Sequence, residues 1–220
     1  MSSSASPDAT QSRPTQPAPL RAEALSFGSG PSLLDGLFPP GSITLLEGAP
    51  DNLTAALAVL ALRDRPLAGH LHYAGADILA LDRAEAGLWR RRNLRYLPRH
   101  PALPGTRTAL GHLQTETREH EPQAAIPRAL DLLDRFDLGR RAGTKTTALP
   151  PGAQQALSLA TALCVLPRVL LLDDVTADMA APLAAKVIRA IHHQSRKRGM
   201  IVIATSTDRA LIDNADHRLV

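Results

Sequence analysis

The sequence predicts an α/β fold in which a mostly parallel sheet is flanked by helices. The last third of the chain alternates between the two element types, with helix 153–166, strand 169–173, helix 181–198 and strand 201–205. This order produces parallel strands joined by right-handed crossovers. The chain has 220 residues, of which 44% are hydrophobic, and this is enough to fill the core of one sizeable domain.

The first part of the chain begins with a polar tail and then takes up the same pattern. Residues 1–22 are rich in Ser, Pro, Thr, Gln and Ala, a composition that predicts disorder, so the domain is expected to cover residues 23–220. Residues 43–46 are β-branched and apolar and predict a strand, residues 48–52 a turn, and residues 53–62 an Ala/Leu helix. Strand, turn and helix in this order are typical of the start of a nucleotide-binding fold.

The middle of the chain is expected to contain one short strand and several helices. Residues 71–73 predict the strand, residues 75–77 a turn, and a helix follows from about Ala80. Residues 106–148 have apolar side chains at helical spacing and end in a Gly/Thr-rich loop from Gly143.

Composition excludes some classes of function and leaves others open. The formal net charge is +4, and arginine dominates the basic residues, with clusters at residues 90–92, 95 and 99 and at residues 196–198. These clusters are either solvated helix ends or contacts for nucleic acid or an anionic surface. Only 3% of the residues are aromatic, which disfavours a base-stacking surface.

The cysteine content and the hydropathy of the sequence indicate the cellular compartment of the chain. Cys164 is the only cysteine, so an intrachain disulfide is impossible and a reducing cytoplasm is the simpler setting. No run of about 18 uninterrupted apolar residues occurs, so we expect a soluble chain whose role at a membrane requires a partner.

Several segments have the spacing of one known family. Leu149-Pro150-Pro151-Gly152-Ala153 precedes a helix, and the apolar run 170–172 then ends in Asp173-Asp174. Phe27-Gly28, residues 41–43 and Gly48 lie before them in the same order. Over about residues 25–220 the chain resembles the nucleotide-binding domain of ATP-binding cassette (ABC) proteins. The resemblance implies a P-loop NTPase-like ABC ATPase fold with a helical subdomain at roughly residues 100–165.

The resemblance also implies the positions of a nucleotide site. The family's phosphate loop, Gly-x-x-x-x-Gly-Lys-Ser/Thr, corresponds to residues 48–55, of which only Gly48 is kept, while Thr54 replaces the Lys and Ala55 the hydroxyl residue. An aromatic residue that stacks on adenine corresponds to Phe27. The residues that the resemblance implies as nucleotide contacts are Phe27, Gly48, Asn52, Thr54, Gly152 and Asp173, with Asp173 also as the Mg²⁺ residue.

The catalytic positions are also altered. Pro150, Pro151 and Ala153 stand where the family signature has Ser, Gly and Gln. Asp174 takes the place of the general-base Glu and Ser206 that of the switch His, so these two are the candidate catalytic residues. Arg99 stands where the family has the Q-loop Gln, and an arginine cannot ligate Mg²⁺.

These departures predict a degenerate ABC transporter ATP-binding subunit. Such a chain would bind ATP and Mg²⁺ weakly or not at all and act as a scaffold or regulatory subunit, that is, as a pseudoenzyme. The expected partner is a membrane permease subunit or another ABC subunit, a dimer is compatible with the family, and nucleic acid is disfavoured. The chain is then expected in the cytoplasm, held at the inner face of the membrane by its partner.

Three alternatives stay open at this point. The first is a functional but atypical ABC transporter ATPase subunit in which Thr54, Asp173 and Asp174 compensate for the missing groups. The second is an Arg-rich binding module for nucleic acid or an anionic surface. A recombinase-type ATPase is a weaker third alternative, since it accounts for residues 34–48 but not for residues 149–176.

Overall fold

A five-stranded parallel sheet forms the centre of the chain. The computed structural model describes residues 17–27, 32–118 and 122–219. The strands of this sheet lie in the order β6-β7-β8-β3-β9. Their bounds are Ile43–Leu46 (β3), Leu94–Leu97 (β6), Val169–Asp173 (β7), Ile201–Thr205 (β8) and His217–Leu219 (β9).

The central strands are buried on both faces, as is typical of parallel strands. The side chains of β8 are all buried, as are the first four of β7, and continuous apolar runs of this kind are typical of parallel strands covered by helices. The register pairs Leu97 with Leu172, Asp173 with Thr205, and Leu45 with Ala204. The carboxyl ends of β3, β6, β7 and β8 therefore lie at one edge of the sheet.

A second, antiparallel sheet has the strand order β2-β1-β4-β5. Its strands are Leu20–Phe27 (β1), Ser32–Phe38 (β2), Ala68–Tyr73 (β4) and Ala76–Asp77 (β5). The predicted tail was placed at residues 1–22, but β1 begins at Leu20 and buries Leu20 and Ala22. The last three residues of the predicted tail therefore belong to the domain, and residues 1–16 lie outside the described residues.

Seven helices are described in addition to two short 3₁₀ turns, Gly139–Arg141 and Thr146–Ala148. The helices are Pro50–Leu60 (α1), Arg83–Asn93 (α2), Ala109–Thr117 (α3), Pro122–Arg135 (α4), Pro151–Cys164 (α5), Ala181–Arg198 (α6) and Arg209–Asp213 (α7). Helices α3, α4 and α5 lie between β6 and β7 in the chain and pack against one another through apolar side chains that include Leu113, Leu133 and Leu157. They occupy the segment in which the helical subdomain was predicted.

Two features bear on the environment of the chain. Cys164 is fully buried at the end of α5, and burial raises the pKa of its thiol to about 12. Among the helices of the described residues, none combines the length and the apolar character needed to cross a membrane.

Candidate functional site at the carboxyl edge of the parallel sheet

Polar side chains meet where β6, β7 and β8 end. Asp173 is the last residue of β7 and Thr205 the last residue of β8, and the two are directly paired in the sheet. Arg99 follows β6 by two residues. Ligands of open α/β sheets bind at this edge, so it is the candidate functional site.

Asp173 is partly buried and is bonded by two hydroxyl groups. The Thr205 hydroxyl donates to one carboxylate oxygen at 3.1 Å, and the Tyr96 hydroxyl to the other at 3.4 Å. Burial and the charge of Asp173 raise the pKa of the Tyr96 phenol, although the Arg63 guanidinium works against them. The phenol therefore stays protonated and available as a donor.

Asp174 is buried and its carboxylate is fully engaged within the chain. One oxygen accepts the Thr207 backbone N–H at 2.9 Å, and both oxygens lie 3.0 Å from the Thr207 hydroxyl. The Arg99 guanidinium lies 3.4 Å from the second oxygen. A general base must reach the proton that it removes, whereas this carboxylate is directed at groups of its own chain.

The backbone at Asp174 is also unusual. Its φ is +45°, a left-handed conformation that Asp and Asn tolerate better than most residues. The Asp174 N–H donates to the Thr205 carbonyl at 3.0 Å. This conformation turns the side chain away from the direction of β7 and towards Thr207.

Ser206 was predicted as a catalytic residue in the position of the switch His. The Ser206 hydroxyl accepts the Asp208 backbone N–H at 3.0 Å, whereas the contact to Asp174 is made by Thr207. Sequence reasoning missed Thr207. A hydroxyl residue just after an apolar strand, at the same sheet edge as two carboxylates, is the signal that could have indicated it.

The segment after β6 is tied to the same region. The Gln155 side-chain amide donates to the Arg99 carbonyl, and the His100 imidazole lies 3.7 Å from the Asp178 carboxylate. Arg99 is thus held by its backbone to α5 and by its side chain to Asp174. The position predicted from the Q-loop is present at the site, with an ion pair where the family has a metal ligand.

The predicted phosphate loop has a different conformation from the one expected. The prediction placed a turn at residues 48–52 and a helix from residue 53, but α1 begins at Pro50 and the Leu53 N–H donates to the Ala49 carbonyl at 3.0 Å. The prediction was wrong because Pro at the first helical position and Asp in the first turn are themselves typical of a helix start. Residues 50–53 are therefore the first turn of a helix.

Three of the predicted nucleotide contacts lie on this segment. Gly48, Asn52 and Thr54 are exposed. Gly48 precedes the helix, Asn52 lies in its first turn and Thr54 follows that turn. Pro50 has no N–H to offer, and the carboxylate of Asp51 lies in the same turn.

Two of the other three predicted contacts, Phe27 and Gly152, are packing residues. Phe27 is 7% exposed and belongs to the core between the antiparallel sheet and α1, so its ring has no free face for an adenine. Gly152 is buried at the start of α5, and a Cβ atom there would lie 2.4 Å from the Asp178 carbonyl oxygen. Gly152 allows two backbone segments to approach closely.

The predicted Mg²⁺ position rests on one carboxylate. Among residues 17–27, 32–118 and 122–219, no group of three or more His, Cys, Asp or Glu side chains is arranged to hold a metal ion. Asp173 is at the end of its strand, where the resemblance implies it.

The parallel sheet, the polar strand ends and the three-helix segment define a cassette-type nucleotide-binding fold. A bacterial ABC transporter cassette solved as a dimer superimposes with a TM-score of 0.80 at 18% identity, over 91% of this chain and 93% of that one. The same cassette in a post-hydrolysis state, bound to ADP and Pi, gives a TM-score of 0.79 over the same shares of both chains. At this identity the likeness shows the fold.

The family follows from the sequence match. The family model described as ABC transporter matches residues 54–177, more than half of the chain, and the chain belongs to this family. The lipoprotein-releasing system ATP-binding protein LolD of Nitratidesulfovibrio vulgaris is 28% identical over 180 residues, which are 81% of this chain and 77% of LolD. The ABC ATPase fold predicted from the sequence is thus confirmed.

A second relative is much longer than this chain. The macrolide export ATP-binding/permease protein MacB 1/2 of Paracoccus denitrificans is 26% identical over 186 residues, and these cover 81% of this chain but 28% of that protein. The chain therefore spans less than a third of this relative, which is named as both an ATP-binding protein and a permease.

Proposed function

We propose that the chain is an ATP-binding-subunit-type component of an ABC transporter that binds Mg-ATP weakly or not at all and does not hydrolyse it. It would act as a scaffold or regulatory subunit beside a membrane permease or another ABC subunit. The observation that carries the proposal is the helical conformation of residues 50–53. A phosphate loop needs backbone N–H groups that surround the phosphates, whereas in this turn Pro50 has no N–H and the Leu53 N–H is donated to the Ala49 carbonyl.

Charge supports the same conclusion. Each lost charge-assisted hydrogen bond costs about 1.5–3 kcal/mol, and Thr54 cannot supply the one that a Lys would make. Asp51 adds a negative charge to the turn that would face the phosphates. The missing Lys alone should lower the affinity for Mg-ATP by about tenfold to 150-fold relative to a normal phosphate loop.

Hydrolysis would fail for a separate reason. The Asp174 carboxylate is engaged by Thr207 and Arg99, so a water molecule would have to displace these groups before the carboxylate could act on it. The two prolines before and at the start of α5 remove N–H donors that a partner's nucleotide would use. Both the site of this chain and the contribution to a partner's site are therefore impaired.

The partner and the location also belong to this proposal. The LolD relative is named as part of a lipoprotein-releasing system, and the MacB relative as an export ATP-binding/permease protein. By analogy, this chain would associate with a permease and lie on the inner side of the membrane. What is transported does not follow from the residues described above.

Thermal unfolding with and without millimolar Mg-ATP tests the proposal. A ligand present at 100 times its dissociation constant stabilises the folded state by about 2.7 kcal/mol, which raises the midpoint of a domain of this size by about 5–11 °C. We expect no shift above about 1 °C at about 5 mM Mg-ATP, as for a ligand at or below its dissociation constant.

Two controls decide what a shift would mean. Magnesium tripolyphosphate has the same kind of charge without the nucleoside, so an equal shift would indicate general attraction to arginine. The variant Asp173→Asn removes the predicted Mg²⁺ residue. A shift specific to Mg-ATP and abolished by Asp173→Asn, together with steady-state turnover, would establish the atypical working ATPase instead.

A further inference from the structure

A strongly basic face lies beside α1, α2 and β6. It consists of two adjoining cavities of about 730 and 350 Å³. Six arginines line them: Arg63 and Arg90 are shared, Arg91 and Arg95 belong to the larger cavity, and Arg65 and Arg83 to the smaller one. We refer to these six residues as the arginine face.

The arginine face carries a strong local positive charge. Asp64 and Glu116 are the acidic residues that line the same cavities, and Glu116 is already paired with Arg107 at 3.6 Å. Six arginines against these two acidic residues favour an anionic partner.

Several of these arginines are held by neutral groups, which leaves their charges uncompensated. Arg90 donates to the Leu62 carbonyl at 2.9 Å, and Arg65 donates to the carbonyls of Leu79 and Leu81. The Arg63 guanidinium lies 4.9 Å from the centroid of the Tyr96 ring. A guanidinium fixed in this way retains N–H groups in a planar fork that matches a phosphate.

Two further arginines have guanidinium groups that are available to bind an anionic ligand. Arg83 and Arg91 are exposed on α2. The Arg91 carbonyl accepts a hydrogen bond from Arg95, but neither the Arg83 nor the Arg91 guanidinium makes a hydrogen bond or an ion pair among the described residues. Leu88 is 39% exposed three residues before Arg91, and Leu67 is 72% exposed two residues after Arg65. Exposed leucines interspersed with arginines are typical of surfaces that bind the interface of a bilayer.

We propose that the arginine face binds the surface of a bilayer that contains anionic phospholipids. The guanidinium groups would contact lipid phosphates, and Leu67 and Leu88 would enter the headgroup region. The inference rests on the proposed function, since a transporter subunit works next to a membrane. It differs from that function because it needs neither a nucleotide nor a permease.

The observations favour a bilayer over two other anionic partners. A surface for single-stranded nucleic acid would stack bases on aromatic rings, whereas the hydroxyl of Tyr96 is bonded to Asp173 and its ring is covered by Arg63. An acidic protein segment would need a single charged groove. The positive charges here extend from both cavities to the outer face of α2, and the surface also has exposed leucines.

Co-sedimentation of the full chain with vesicles, in the absence of nucleotide, tests the proposal. We expect binding to vesicles of phosphatidylcholine with phosphatidylglycerol, weakening as salt rises, and none to phosphatidylcholine alone. The double variant Arg83→Gln/Arg91→Gln removes two charges that make no hydrogen bond or ion pair within the described residues, so the fold should be retained. At about fivefold for each charge, the loss of both should weaken binding by about 30-fold.

A matched control removes two charges elsewhere. Lys197 and Arg198 are exposed in the other basic cluster, at the end of α6, and Lys197→Gln/Arg198→Gln gives the same net charge as the test variant. An equal loss of binding in both variants would mean attraction to net charge and would overturn the proposal. Equal binding to neutral vesicles would overturn it too, as would binding to polyglutamate or duplex DNA without binding to vesicles.

The outcome is independent of the nucleotide test. A chain that binds Mg-ATP and still requires Arg83 and Arg91 for vesicle binding would refute the proposed function alone. A chain that fails to bind vesicles and shows no Mg-ATP shift would refute the lipid proposal alone.

Discussion

The substitution Asp174→Asn separates a structural carboxylate from a catalytic one. If Asp174 were a general base, its loss would remove turnover and leave the folded state largely unaffected. In the structure the carboxylate accepts the N–H and the hydroxyl of Thr207 and pairs with Arg99. Asparagine keeps the shape of the side chain and tolerates the left-handed backbone at φ +45°, so the substitution tests charge and not backbone strain.

The expected cost follows from these contacts. A hydrogen bond to a charged group contributes about 1.5–3 kcal/mol and a neutral one about 0.5–1.5 kcal/mol, so the two bonds from Thr207 lose about 2 kcal/mol together. The ion pair adds about 0–1 kcal/mol, because the Arg99 side chain is 48% exposed. Relief from burying a charge works in the other direction. We expect a net loss of about 1–2 kcal/mol in the free energy of unfolding.

Urea unfolding followed by circular dichroism measures this loss, and a double-mutant cycle assigns it. Arg99→Gln alone should cost about 0–1 kcal/mol, and its effect should largely vanish in the Asp174→Asn background. Asp173→Asn is the control, because the neighbouring carboxylate has no arginine partner among the described residues. An Asp174→Asn protein as stable as the unmodified chain, together with a lost ATPase activity, would refute the reasoning.

Two other predictions follow from single contacts. Gly152→Ala should lower the free energy of unfolding by about 1 kcal/mol, since overlap with the Asp178 carbonyl outweighs the gain in helix propensity. The control Gly143→Ala, whose added Cβ meets nothing within 4 Å, should be neutral. Equal free energies of unfolding for the two variants in urea would contradict the packing role of Gly152. Asp77→Asn should destabilise the chain at neutral pH by an amount that shrinks as the pH falls below about 3.8. Burial works to raise the pKa of Asp77, but hydrogen bonds from His70 and from backbone N–H groups outweigh it and lower the pKa below 3.8, so its stabilisation is present above that pH and lost as the pH falls through the folded-state value. A gap between the two proteins that is as large at pH 3 as at pH 7 would show that the carboxylate charge is not the cause.

The central elements could be predicted because their patterns are long and unambiguous. The predicted strands 43–46, 169–173 and 201–205 coincide with β3, β7 and β8, and helix 181–198 coincides with α6. In these segments apolar runs are bounded by polar or glycine residues, and the period distinguishes strand from helix. The parallel order then follows from the alternation.

The strands that the sequence did not indicate are short or irregular. Strand β9, His217–Leu219, has three residues, two of them charged or polar, and it is recognisable only through its pairing with β3. Strand β1 has a bulge at Ala24, where φ is +48°, and this breaks the alternation that would mark a strand. Such elements depend on partners distant in the chain, which a local pattern does not contain.

The predicted site residues differ in how the structure places them. The family spacing indicated Asp173, Asp174 and Arg99, and the structure brings all three to one edge. At residues 48–52 the prediction was a turn, while the residues themselves, Pro50 followed by Asp51, are typical of a helix start. Local chemistry and family position disagreed there, and the local chemistry determined the backbone.

The proposed lack of a bound nucleotide would explain the ion pair at Asp174. A buried carboxylate is costly unless a cation or several hydrogen bonds compensate it, and in a nucleotide site that compensation can come from the bound metal and water. In this chain the compensation comes from its own side chains, Arg99 and Thr207. Under the proposed function the same two residues would also exclude the water that hydrolysis needs, so restoring a phosphate loop alone should not restore turnover.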